Sequence, residues 1–200
     1  VIRVLLADDE ELLRGALTAL LGLEPDIEVV ADVADGEAAL AEVIARAPDV
    51  ALLDLEMPGL DGIEVADRLR RRVVTPVVIV TRHARPGALR RALAAGVRGF
   101  VPKSTPAAEL ARIIRLVVAG QRYVDAQLAA AALTEAESPL TPREVDVLRL
   151  IRTGLPSKRI ARELGLAPGT VRNHTSSAIA KLHADSGHTA AAVAWDRGWI

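Results

Sequence analysis

Apolar and polar positions change rhythm along this chain. Through residue 119, short apolar runs alternate with longer stretches in which apolar residues recur every three or four positions. The runs Ile2–Ala7, Ile27–Val33, Val50–Leu53, Val77–Thr81 and Val97–Val101 have the length and β-branched content of strands. The stretches Glu10–Leu21, Gly36–Arg46, Gly62–Arg72, Pro86–Ala95 and Pro106–Ala119 have helical spacing. Pro86 and Pro106 stand at helix starts, where a missing N–H costs nothing. Gly96 follows a helix, as a residue in the left-handed cap position should. The pattern predicts an α/β fold, a doubly wound five-stranded parallel sheet with helices on both faces.

The rhythm breaks over residues 120–139. Gly120 closes the last helix, the Ala-rich stretch Leu128–Leu133 has the makings of a short helix, and Thr134–Pro139 reads as a polar linker. From residue 140 to 200 only helical spacing remains. Thr141-Pro142-Arg143-Glu144 is a capping box with Pro at the first helical position, followed by an apolar stripe of Val145, Leu148 and Ile151 flanked by Leu150. A second helix spans about Ser157–Leu164 and stops at Gly165. Pro168 opens a third that reaches about Leu182, and Thr189–Gly198 makes a fourth. Two helices joined by a short Gly-containing turn describe a helix-turn-helix. The expected organisation is residues 1–119, a linker at 120–139, and a small all-α domain at 140–200.

The polar residues at the strand ends carry the chemistry. Asp8 and Asp9 follow the first strand, Asp54 the third, Thr81 ends the fourth, and Lys103 follows the fifth. In a parallel α/β sheet the carboxyl ends of the strands share one edge, and ligands bind there. Such a fold gathers three carboxylates, a hydroxyl and an ammonium into one pocket. Carboxylates so close repel unless a cation joins them, and Mg2+ held by one or two carboxylates and a phosphoryl oxygen meets that need. The arrangement suits placing phosphate on an aspartate.

Composition narrows the alternatives. The chain has no Cys, which excludes disulfides, thiol catalysis and Cys-based zinc sites. His83, His174, His183 and His188 have no metal-ligand spacing. The first strand begins at residue 2, so no signal peptide is expected, and no apolar run approaches the roughly 18 residues of a membrane span; a cytoplasmic location is expected. Net charge is −1. From Ser138 onward nine Lys or Arg face five Asp or Glu, which leaves the first part acidic and the last part basic. The two parts are expected to meet different partners.

With these motifs in place, the chain resembles a two-component response regulator of the NarL/FixJ family. Residues 1–119 resemble its flavodoxin-like receiver domain. Residues 140–197 resemble its LuxR-type helix-turn-helix, through Leu140–Glu144, Ile160-Ala161, Gly169–His174 and Lys181-Leu182. The resemblance implies that Asp54 is the phosphoacceptor. It implies Mg2+ held by Asp9, Asp54 and the Glu56 backbone carbonyl, with Asp8 holding a metal-bound water. Lys103 would pair with the phosphoryl group, Thr81 would follow it inward, and Phe100 would respond as an aromatic switch. In the third helix of the second domain, Arg172, Asn173 and Ser176 share a face and would read bases in the major groove. Ser157, Lys158, His174, Thr175 and Lys181 would contact phosphates. The implied partners are a sensor histidine kinase, double-stranded promoter DNA and a second copy of the chain once phosphorylated. Candidate dimer contacts are Leu13 and Leu17 on the first helix, and Leu110, Ile113, Ile114 and Val117 on the last receiver helix.

The chain departs from the family pattern in places. Arg82 follows the switch threonine where a small residue is usual, and a long cation there could narrow access to Asp54 or add a phosphate contact. Glu56 stands two residues past the phosphoacceptor. Ala167 occupies a usual Ser/Thr N-cap position, and His183 replaces a common Gly. Two rival readings remain at this level. One is a haloacid-dehalogenase-like aspartyl phosphatase, since Asp54-Leu55-Glu56 approaches an Asp-x-Asp motif. The other is a regulator whose receiver serves only to dimerise, independent of phosphorylation.

Overall fold

The computed structural model describes residues 1–82, 84–126, 128–130 and 138–200, with Asp196 described by its backbone alone. His83 and, within the expected linker, residues 127 and 131–137 lie outside the described residues, among them the second half of the expected helix Leu128–Leu133 and most of Thr134–Pro139. The chain forms two compact units, Val1–Ala84 with Leu89–Ala131, and Arg85–Ala88 with Ala132–Ile200.

The first part of the chain follows the alternating pattern. Strands β1 (Ile2–Ala7), β2 (Ile27–Val33), β3 (Val50–Asp54), β4 (Val77–Thr81) and β5 (Gly99–Pro102) alternate with helices α1 (Glu11–Leu21), α2 (Gly36–Arg46), α3 (Gly62–Leu69), α4 (Pro86–Ala94) and α5 (Ala107–Val118). The strand order is β2-β1-β3-β4-β5-β6, and every pairing is parallel. All five residues of β3 and of β4 are buried. That explains why their sequences are continuous apolar runs rather than alternating ones: both faces of a central parallel strand are covered. On one face Val4, Leu6, Leu52, Val78, Val80 and Val101 from the strands pack with Leu17, Leu21, Leu110, Ile113, Ile114 and Val117 from α1 and α5.

The sheet has six strands rather than the expected five. The extra one, β6 (Tyr123–Val124), runs parallel to β5 in the register Gly99↔Tyr123 and Phe100↔Val124. The Tyr123 N–H donates to the Arg98 carbonyl at 2.9 Å. Two residues are too few to display strand alternation, so the signal was absent from the pattern. Helix α3 also ends earlier than its spacing suggests. The β-branched run Val73-Val74-Thr75 before Pro76 disfavours helix, and the Arg72 and Val73 N–H groups both turn back to the Leu69 carbonyl.

After β6, Asp125 caps a helical stretch by accepting from the Leu128 N–H at 3.0 Å. The regular elements of residues 138–200 are all helices: α6 (Pro142–Arg152), α7 (Ser157–Glu163), α8 (Pro168–Leu182) and α9 (Gly187–Asp196). The capping box at Thr141 and Glu144 is present with both hydrogen bonds. Val147, Leu148, Ile151, Ile160, Ala161, Val171, Ala178, Ala190 and Ala194 form one core. Gly165, at φ +64°, makes the turn between α7 and α8. Ala167 stands at the α8 N-cap without a side-chain hydrogen bond. His183 closes that helix at φ +51°, a left-handed conformation that favours Gly.

Candidate functional site

Parallel strands bring their last residues to one edge, and the strand order places β3 between β1 and β4. Asp54 ends β3 and is 5% exposed, Thr81 ends β4 and is 1% exposed, and Asp8 follows β1 at 2%. Gly62, at the start of α3, lets that helix approach the strand end closely. A Cβ there would lie 2.3 Å from the Asp54 carbonyl oxygen.

Lys103 organises the group. Its ammonium lies 2.8 Å from Asp8 Oδ2, 2.8 Å from Glu10 Oε1 and 3.0 Å from Asp54 Oδ2. Its backbone N–H donates to the Thr81 carbonyl at 2.8 Å, which ties the residue after β5 to the end of β4. Burial works against the charged ammonium, yet the carboxylates of Asp8, Glu10 and Asp54 outweigh it and raise the Lys103 pKa. Asp54 is driven the other way. Burial pushes its carboxyl up to about 6 despite Lys103 and the Glu56 N–H, and Asp8 adds to the rise by repulsion.

Above Asp54 is a cavity of about 240 Å3 lined by Asp9, Glu10, Asp54, Glu56, Thr81, Arg82 and Lys103. Among the described residues, Asp8, Asp9 and Glu10 bring carboxylate oxygens within 4.8 Å of one another. Hard oxygen donors converging beside a buried carboxylate fit Mg2+. Phe100 is fully buried within β5 and does not line the cavity.

Glu10 is the residue the sequence did not flag. Its spacing placed it in the first helix, but it stands just before α1, makes no side-chain capping bond to that helix, and points its carboxylate at two cations. One oxygen accepts from Lys103 and the other from Arg82. Lys103 and Arg82 together hold the Glu10 carboxyl below the usual range. A third acid directly after Asp8-Asp9 was the available signal.

In the C-terminal unit, Arg172, Asn173 and Ser176 are exposed on α8, while Val171 and Ala178 are buried on the opposite face. Ser157 and Lys158 are exposed at the start of α7, and His174 and Thr175 are half-buried. The Thr175 hydroxyl donates to the Val171 carbonyl of its own helix at 2.9 Å. Lys181 has a structural partner. Its ammonium bonds both oxygens of the buried Glu144 carboxylate, at 3.0 and 2.8 Å, and the Ser177 hydroxyl donates to the same group at 2.7 Å. Burial opposes the Glu144 charge, but Lys181, the Thr141 N–H and Ser177 prevail and lower its pKa to about 2. A residue expected only to cap α6 therefore fastens α6 to α8.

The expected dimer contacts are interior. Leu17, Leu110, Ile113, Ile114 and Val117 belong to the core, and Leu13 packs against it. The breadth of the apolar face on α5 arises because that helix covers the sheet and meets α1 as well. The exposed apolar side chains on and beside these helices are Leu12 at 88%, Leu23 at 78%, Leu20 at 45% and Val118 at 37%.

Comparison with known proteins matches this geometry. The response regulator receiver domain family covers residues 4–115, and the luxR family of bacterial regulatory proteins covers residues 138–194. The transcriptional regulatory protein YvfU of Bacillus subtilis is 41% identical over 200 residues, spanning all of both chains. DesR of the same organism is 41% identical over 199 residues, 100% of this chain and 99% of its own. Among solved structures, response regulator ChrA of a heme-sensing two-component system superposes with a TM-score of 0.59 at 29% identity, covering 100% of this chain and 98% of its own. The chain belongs to the NarL/LuxR family of response regulators, with a receiver domain followed by a LuxR-type DNA-binding helix-turn-helix, and is homologous to DNA-binding transcription regulators.

Proposed function

We propose that this chain is a cytoplasmic transcription regulator whose DNA binding is switched by phosphorylation of Asp54 by a sensor histidine kinase. Residues 1–119 serve as the receiver, 120–139 as the linker and 140–200 as the DNA-binding domain. The observation that carries the reading is the buried Asp54 carboxylate held 3.0 Å from the Lys103 ammonium, at the floor of an acid-lined cavity. Lys103 and Thr81 receive the phosphoryl oxygens, and the buried Phe100 responds through β5. Asp9, Asp54 and the Glu56 carbonyl would hold Mg2+, with Asp8 acting through a water. Such an ion neutralises the attacking carboxylate and the phosphoryl oxygens, which otherwise repel. The chain accepts phosphate rather than turning over substrates as an enzyme.

Arg172, Asn173 and Ser176 read bases in the major groove, while Ser157, Lys158 and His174 contact phosphates. Phosphorylation promotes a homodimer, which sets two helix-turn-helix units on one promoter and raises affinity through effective concentration. Among the described residues no helix is long and apolar enough to cross a membrane. Acetyl phosphate with Mg2+ should label the wild-type chain and leave Asp54→Asn unlabelled. Equal labelling of both would remove Asp54 from its role.

A further inference from the structure

We propose that Arg82 and Glu10 form a strap across the mouth of the Asp54 cavity, which gates phosphoryl entry and afterwards frees Arg82 to shield the phosphoryl group from water. The proposal rests on the reading of Asp54 as phosphoacceptor.

β3 lies between β1 and β4 in the sheet. A side-chain pair that joins the loop after β1 to the loop after β4 must span the end of β3, where Asp54 sits. Glu10 comes from the first loop and Arg82 from the second, one residue beyond Thr81. The Arg82 guanidinium donates to Glu10 Oε2, and both residues line the cavity with Asp54.

Glu10 is held between two cations, since its other oxygen accepts from Lys103 at 2.8 Å. Lys103 already serves Asp8, Glu10 and Asp54 and is only 7% exposed. Arg82 is 62% exposed, so it can swing without a large desolvation cost. A phosphoryl group on Asp54 brings new anionic oxygens under the strap, where they compete with Glu10 for the guanidinium. The planar fork of Arg pairs well with phosphoryl oxygens.

The strap acts on two steps at one phosphorus. In labelling by acetyl phosphate, an Asp54 carboxylate oxygen bonds to phosphorus, the acetyl oxygen–phosphorus bond breaks, and acetate leaves with the electron pair. In loss, water attacks that phosphorus, the Asp54 oxygen–phosphorus bond breaks, and carboxylate, inorganic phosphate and a proton are released. Closing the mouth slows entry, and Arg82 turned onto the phosphoryl group slows the attack of water.

The test uses the full chain at saturating Mg2+, labelled with acetyl phosphate and followed on phosphate-affinity gels, first during labelling and then after the donor is removed. Wild type against Asp54→Asn decides the phosphoacceptor by itself. Arg82→Ala should label faster and lose phosphate faster, each by roughly two- to fivefold, the range of an exposed charge pair. Arg82→Lys keeps the charge without the fork and should fall between. Glu10→Gln breaks the same pair but leaves Arg82 available, so its phosphate should last longer than in wild type. Opposite shifts in lifetime from the two variants support the strap. An unchanged lifetime in Arg82→Ala, or shifts in the same direction for both variants, would overturn it while leaving Asp54 in its role.

Discussion

A buried carboxylate that titrates near 6 destabilises the fold around it at neutral pH, and Asp54 is such a residue. The folded chain binds its proton more tightly than the unfolded chain does, so stability falls as pH rises from about 4 through 6. Asp54→Asn removes that ionisation. In Mg2+-free buffer at pH 7, the variant should be more stable than wild type, by on the order of 3 kcal/mol, in urea denaturation. Equal stabilities across that pH range would contradict the buried-charge account. Glu144 has the opposite sign. Its folded pKa of about 2 lies below the ordinary 4.5, so its contribution is present above 4.5 and is lost as pH falls through about 2. The same clasp changes what Lys181 should do. Arg172→Ala should cost roughly 1–3 kcal/mol of DNA affinity and relax preference at one base pair. Lys181→Ala should instead lower the melting temperature of the chain, because it leaves the Glu144 charge buried without its cation. A Lys181→Ala chain as stable as wild type, with a flatter salt dependence of DNA binding, would return Lys181 to the phosphate-contacting set.

At the scale of elements, the five main strands and nearly all helices were legible because each carries several residues of one period. Pro86, Pro106, Pro142 and Pro168 stand at or immediately before the first helical residues. β6 was not legible, since it exists only as hydrogen bonds to β5. The strand-end residues were legible as a set, because a parallel sheet brings strand ends to one edge whatever the side-chain details. Their pairings were not. Glu10 looked helical, Lys181 was expected at DNA phosphates, and the five core residues proposed as dimer contacts look apolar in either role. Partner choice depends on side-chain direction across elements distant in sequence, and periodicity does not record it. Ile113 makes the point testable. It is fully buried, so Ile113→Asp should cost about 4 kcal/mol or more and unfold the receiver rather than merely separate copies. Thermal denaturation distinguishes the outcomes. A folded Ile113→Asp monomer would place Ile113 at an interface. Leu12, 88% exposed on the outer face of α1, is the position where a charge reports on association without disturbing the core.

For the whole molecule, the uneven charge matches the division of labour. Acidic groups gather where a cation and a phosphoryl group would meet, and the basic excess lies with the helix-turn-helix. A single recognition helix offers few base contacts, so regulation through dimerisation needs no change in the reading face itself. The central claim is that chemistry at Asp54 controls DNA binding by the other unit. Its most direct test is fluorescence anisotropy on DNA selected by the full chain from a random pool, titrated with and without Mg2+ and beryllofluoride, a mimic of the phosphorylated carboxylate. Wild type should bind more tightly with beryllofluoride, and Asp54→Asn should not respond. Wild-type affinity that is the same in both conditions would contradict it.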